Sequence, residues 1–349
     1  MHNNYNISTI RQIMSKNAIS LSVLLSSLSA CAPCDYERLS KLPLESSVPE
    51  EYRENVTVIK DVRKFGIEQL GLHHCTQHYT TYSKSDGEAR MVYRLFVTKP
   101  TVLPNTWEEA SHIFENHTVF REDVKAAYFN SFVDTLEDEL EYYKKEGYDV
   151  YTRNVTSYNH PNSDLGSAIT PNFFKDSKAW QAQTITHEIC HDSVEEWGLN
   201  LPSEWNEPFC GVIGRAGAVE YFKAKKGVDS EDYLLALKNF NSHLDYYKKA
   251  NSYYAQLQAL YRSDKPLPQK LEERQTIFAE IKKALNFDAN NAVLWDGHPY
   301  AKYYPAMVQL YEEENKDVRR ILAKTKEHPK EMLQYLNTLT QIENQKQLK

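Results

Sequence analysis

His187-Glu188-Ile189-Cys190-His191 is the stretch on which the reading of this chain turns. In a helix, two imidazoles four residues apart stand on one face, about one turn apart, and can share a tetrahedral metal ion. The glutamate beside the first histidine faces the same point, where it can take a proton from water held there. The pattern points to hydrolysis by a metal-activated water, provided that the segment is helical. Its flanks favour a helix. Asp176 or Ser177 can cap the N-terminus, and no glycine or proline falls between Lys178 and Trp197. Ala182, Ile185 and Ile189 form an apolar stripe, and Gly198 follows as a stop signal. The competing reading is two polar residues on a solvated helix face.

A catalytic zinc ion commonly has three protein ligands and one open position. Glu195 and Glu196 lie too close on the same helix to fold back, which leaves Glu204, Glu207 and Glu220. The segment Pro202–Phe209 is expected to open a second helix running to about Lys225, capped by Asn206 or Ser203, with Pro208 in its first turn. Gly211, Gly214 and Ala218 share the helix face of Glu207. A glycine inside a helix costs about 1 kcal/mol relative to alanine, so two on one stripe call for a reason. Close approach to the metal helix would supply it, because a short carboxylate could then reach the ion. Glu207 is therefore the expected third ligand, with Glu204 as the fallback on the same face. Glu220 falls on the opposite face.

Other residues are candidates for supporting roles. Asp192, next to His191, could orient a ligand from behind. Arg215 shares the Glu207 face and could pair with an acid or with a substrate carboxylate. Tyr158 and Tyr300 are candidate donors to the oxyanion of a tetrahedral intermediate. In a chain with 24 tyrosines, a core or surface position is the competing reading of each. His160 reads as a loop histidine.

Composition sets the wider frame. The 349 residues are 41% hydrophobic, enough for one large core or two small ones, and the formal net charge of -7 excludes the basic footprint of a nucleic-acid binder. Near the N-terminus, Arg11 and Lys16 precede a short apolar stretch, Ala18 to Leu28, followed by Leu28-Ser29-Ala30-Cys31. This resembles a bacterial lipoprotein signal, which would make residues 1–30 a signal peptide and Cys31 the lipidated first residue of the mature chain. Met14 is an alternative start. The expected location is the bacterial cell envelope, on the periplasmic side in a Gram-negative cell, with the membrane as a partner through the lipid. Cys34, Cys75, Cys190 and Cys210 remain, and their pairing cannot be read from the sequence.

Residues 31–50 read as a tether and 51–340 as a single catalytic unit whose C-terminal half, from about residue 229, is helical; 341–349 is a polar tail. Val58 to Leu70 suggests a short helix. Tyr79–Tyr82 and Met91–Val97 suggest a hairpin across Ser83–Gly87. Val124, Tyr128, Phe132, Leu136, Leu140 and Tyr143 suggest one long helix ending at Gly147. Tyr148–Tyr158 reads as a strand, and the chain then passes through Leu165–Thr170 to the metal helix. An extended peptide could add beside a strand in this position. Leu237 to Leu257, Ile277 to Leu285 and Pro305 to Leu339 mark later helices. The expected class is α+β, predominantly α-helical: a metal helix, a small sheet and a helical C-terminal half.

Taken together, these residues resemble a bacterial family of predicted zinc aminopeptidases, many of which carry a lipoprotein signal. The resemblance rests on the His187–His191 motif, on Asn206-Glu207-Pro208-Phe209, and on Gly217 through Tyr221-Phe222. Gly147-Tyr148-Asp149-Val150 with Tyr158 matches an upstream block, and Asn290-Asn291-Ala292 with Tyr300 and Pro305-Ala306 a downstream one. It spans roughly residues 70–325. It implies a zincin-like, gluzincin-type domain in which His187, His191 and Glu207 bind zinc and Glu188 is the general base for hydrolysis of a peptide substrate. Two departures stand out. The spacer from His191 to Glu207 is longer than in the family, and Asn159-His160-Pro161-Asn162 replaces a Ser-Thr-Leu-Gly, so substrate preference does not carry over. Two alternatives remain: a non-catalytic zinc-binding envelope lipoprotein, with Cys190 or Cys210 filling the ion's open position, and a metal hydrolase of cell-wall peptides.

Overall fold

In a computed structural model of the chain, residues 48–73, 78–80, 82, 92–104, 114–115, 118–121, 124–130, 133–155, 169 and 171–347 are described. Cys31, Cys34, Cys75, Tyr158 and His160 lie outside them. A 3-10 turn (Glu50–Tyr52) leads into α1 (Arg53–Phe65) and a π turn (Gly66–Leu70). Strands β1 (Val92–Thr98), β2 (Phe114–Glu115), β3 (Thr118–Arg121) and β4 (Val124–Asn130) follow, then α2 (Val133–Lys145) and β5 (Asp149–Val155). The remainder is helical: α3 (Pro171–Phe174), α4 (Lys178–Glu196), α5 (Ser203–Lys226), α6 (Glu231–Arg262), α7 (Leu267–Leu285), α8 (Asn291–Ala301), α9 (Tyr304–Glu313), α10 (Val318–Glu327) and α11 (Pro329–Gln347). The class is α+β with helices predominant.

The sheet has five strands in the order β2-β3-β4-β1-β5, all antiparallel, with β1 flanked by β4 and β5. Two expectations change here. Val124 to Tyr143 is not one helix, because Val124–Asn130 is a strand and helix begins only at Val133. Residues 124, 128 and 132 are spaced by four, which fits a helix face but equally fits one side of a strand, whose period is two. Nor does β1 pair with Tyr79–Tyr82: Tyr82 makes a lone parallel bridge to Ile169. The loop Ser83–Gly87 lies outside the described residues.

Alternation along β1 divides the sheet's two faces. Leu95 and Val97 bury against Leu136 of α2, and Phe96 packs edge-on against Trp295 of α8. A polar lock fixes the second contact. Asp149 accepts from the backbone N–H of Asn291 (3.0 Å) and pairs with Arg274 (3.2 Å). Asn290 caps α8 through Val293 N–H and donates to the Val150 carbonyl, while Asn291 Nδ2 donates to the Pro100 carbonyl.

The largest core cluster is centred on α4 and α5 and gathers side chains from α1, α6, α9, α10 and α11. Ser177 caps α4, accepting from Trp180 N–H (3.2 Å), and Ala182, Ile185 and Ile189 are fully buried. Each isoleucine contributes roughly 2 kcal/mol. Gly198, at φ +70°, ends the run in a backbone state that favours glycine. Helix α5 starts earlier than expected, with Pro202 at its N-cap, so neither Ser203 nor Asn206 caps it and Pro208 lies inside it. The C-terminal helix also runs further than expected, through Gln347 into the polar tail. Among the described residues, no helix is long and apolar enough to cross a membrane.

Candidate metal centre

Helices α4 and α5 approach so closely that a Cβ on Gly214 would stand 2.7 Å from the Gln183 carbonyl oxygen and 2.9 Å from His187 Cβ. At Gly217 it would stand 2.8 Å from Thr186 Cγ2. The smooth stripe is therefore Gly214 and Gly217. Gly211 instead faces Arg215 and Tyr304.

This contact brings three ligand atoms together. His187 Nε2 and His191 Nε2 are 3.0 Å apart, and Glu207 Oε2 lies 3.4 Å from the first and 3.6 Å from the second. Zinc bonds of ~2.05 Å at tetrahedral angles would set donor atoms about 3.3 Å apart. The contacts to Oε2 are longer than ordinary hydrogen bonds, and this buried oxygen makes no hydrogen bond. Among the described residues, His187, His191 and Glu207 form the cluster that could hold a metal ion. Their side chains are 16–26% exposed, so solvent reaches the site. Glu204, the fallback, is buried beside Tyr303 and is not in the cluster. Glu220, on the far side of α5, accepts from Val318 N–H.

Electrostatics support the same assignment. Burial acts to lower the His191 pKa, but the Glu207 carboxylate more than offsets it and lifts the ring to about 10. Burial acts to raise Glu207, but His191 and His187 pull it below the usual carboxylate range. Without an ion, the cluster would hold a proton between imidazole and carboxylate. A dication would replace that proton.

The group placed behind His191 is Asn206, whose Oδ1 lies 3.1 Å from His191 Nδ1. An amide oxygen can only accept, so Nδ1 carries the hydrogen and Nε2 keeps its lone pair for a metal. Asp192 does something else: its Oδ1 meets His78 Nε2 at 3.1 Å. The sequence offers Asn206 as a helix cap and as part of the Asn206-Glu207-Pro208-Phe209 block, but not as the partner of His191.

Tyr300, at the end of α8, lies near enough to the cluster for the Glu207 charge to act on it. The Glu207 charge, followed by burial, pushes its phenol well above the usual range. The Arg153 guanidinium lies 5.8 Å from the Tyr300 ring centre, bonds its phenol, and pairs with Asp296 at 3.1 Å. Arg153 and Asp296 carried no signal in the sequence, because strand β5 and helix α8 meet only in the fold. Arg215 is not at the site. It donates to the Gly211 carbonyl (3.0 Å), and its guanidinium sits 5.3 Å from the Tyr304 ring centre and 5.9 Å from that of Tyr247. A structural role between tyrosines therefore replaces the expected pairing with an acid or a substrate.

The family model Aminopep, described as "Putative aminopeptidase", matches residues 36–334. The chain belongs to this aminopeptidase family. No curated protein and no solved structure shows a significant match. The match covers the aminopeptidase-family sheet, both ligand-bearing helices and α6 to α10. Asp149, Asn290 and Asn291, which carried part of the sequence resemblance, form the lock that seats α8, and with it Tyr300, against the sheet.

Proposed function

We propose that this chain is a zinc-dependent aminopeptidase. The observation that carries the reading is the convergence of His187, His191 and Glu207 at the spacing of a tetrahedral ligand set. His₂Glu is a donor set that suits catalytic zinc and leaves one position for solvent. When bound, zinc supplies a Lewis acid that draws the pKa of a water toward 7 and polarises a carbonyl. Asn206 holds His191 in the tautomer that binds. Glu188, close enough to His191 for its charge to act on the ring, takes a proton from the attacking water and delivers it to the leaving amine. Tyr300 donates its phenolic hydrogen to the oxyanion that develops on the scissile carbonyl, and Arg153 fixes its position. β5 ends the described sheet, so an extended peptide can run beside it toward Tyr300.

The non-catalytic alternative, in which a cysteine fills the open position, is not favoured. Cys190 and Cys210 touch each other and are not part of the ligand cluster.

Replacing Glu188 with Gln should cut hydrolysis of a mixed peptide pool at least ~10²-fold, with zinc content unchanged by elemental analysis. Mass spectrometry of the products should show residues lost from N-termini. Unaltered turnover in Glu188→Gln would remove the general base, and internal cleavage would replace aminopeptidase with endopeptidase.

We also propose export and lipidation at Cys31, supported by the Leu28-Ser29-Ala30-Cys31 signal and by a family match that begins just beyond it. A Cys31→Ser variant should move from the membrane fraction to the soluble one. Equal membrane recovery of variant and parent would count against the anchor.

A further inference from the structure

Directly behind the ligand cluster, the two helices bring their cysteines together. Cys190 adjoins His191 on α4, and Cys210 lies one turn beyond Glu207 on α5. Their Sγ atoms are 2.6 Å apart, and both residues are fully buried. That is only about half an ångström beyond a covalent S–S bond of ~2.05 Å. Cys210 Sγ also lies 3.7 Å from Oδ1 of Asn206, the residue that holds His191. The two backbones are already in contact one turn further along, at Gly214 and His187. The two thiols are unbonded in the structure, and a cross-link asks the sulfurs to close by about half an ångström.

We infer that Cys190 and Cys210 form a disulfide that straps the two ligand-bearing helices together. The ligands then sit on elements joined by a covalent bond within one turn of each of them. The reaction is thiol–disulfide exchange with a disulfide donor such as oxidised glutathione. One cysteine thiolate attacks the donor and releases one glutathione thiolate. The second cysteine then displaces the other. One S–S bond breaks and one forms, and the two cysteine protons end on the released glutathione thiols. Because the folded protein covers both sulfurs, exchange occurs before α4 and α5 finish packing, and the finished bond is shielded from reductants. Its formation in the cell rests on the export proposed above, since disulfides persist in oxidising compartments. Its geometry does not.

The test refolds the full chain in oxidised and reduced glutathione, denatures it, and alkylates it without reduction. No lysine or arginine lies between Lys178 and Arg215, so trypsin leaves both cysteines in the peptide 179–215. That peptide should carry no alkyl group until it is reduced, and then two. Cleavage after Glu195 or Glu196 should leave the Cys190 and Cys210 fragments joined. Alkylation of both cysteines before reduction, or fragments linked instead to Cys34 or Cys75, would overturn the assignment. The strap has a separate readout in the metal-free protein. Cys190→Ala should melt roughly 5 °C below the cross-linked parent. Equal melting would show a bond that holds nothing. Neither measurement depends on peptidase activity, so a failed strap and a failed zinc reading are distinguishable.

Discussion

Glu220 shows how a single side chain can oppose the fold that buries it. Burial pushes its carboxyl up to about 7 from 4.5, although its Oε1 accepts the Val318 N–H. A raised acid binds its proton more tightly when folded, so its contribution favours the folded state below pH 4.5 and is lost as pH rises to about 7. Glu220→Gln keeps the acceptor and removes the charge. The variant should match the parent near pH 4.5 and exceed it by ~2 kcal/mol at pH 8 in urea unfolding. A constant difference across that range would refute the shift. Residue identity was also the scale at which the metal cluster was legible. His187, Glu188 and His191 are fixed by their spacing, and Glu207 by the glycines that follow it. Asp192 and Arg215 misled because adjacency in a helix does not tell where a side chain finds its partner, and each found one elsewhere, in His78 and the Tyr304 ring.

At the scale of elements, the contact between α4 and α5 makes the sharpest demand. Gly214→Ala would drive a methyl group into the Gln183 carbonyl and the His187 backbone, neither of which can rotate away. The variant should lose about 2 kcal/mol of stability and, because His187 is displaced, also lose zinc during dialysis. Gly217→Ala meets the Thr186 and Leu70 side chains but no atom of a proposed ligand, and should lose stability while retaining zinc. Parental zinc content in Gly214→Ala would mean that the close approach does not position the ligands. Elements with one clear period were readable: α4 lies where its apolar stripe and stop residue place it, and α6 and α7 contain the stretches expected to be helical. β4 was not, because Val124 and Tyr128 satisfy two periods at once. The sheet order was not readable either, since β1 takes both its partners from beyond residue 120, across segments that carry no pairing signal.

For the whole molecule, Asp149 is the joint between layers. It binds the start of α8 and Arg274 of α7, tying the edge strand to the helical half. Asp149→Ala removes the counter-charge of the buried Arg274 guanidinium, which keeps only the Pro100 carbonyl as an acceptor, and leaves the Asn291 N–H without Asp149; it should cost about 3 kcal/mol. It should also lower turnover more than zinc content, because α8 carries Tyr300 while the ligands sit on α4 and α5. Equal losses of the two would show that the lock supports the metal cluster as well. The sequence displayed Asp149 and Asn291 but not their meeting, across a sequence separation of 142.

The placement of the proposed ligand set has a further consequence for folding. His187, His191 and Glu207 all lie on two consecutive helices that end at Lys226, whereas Tyr300 belongs to a stretch translated later. The proposed cation site can therefore assemble from one local helix pair, whereas the proposed oxyanion donor also requires α8 to be seated against the sheet, so the former can precede the latter as the chain folds.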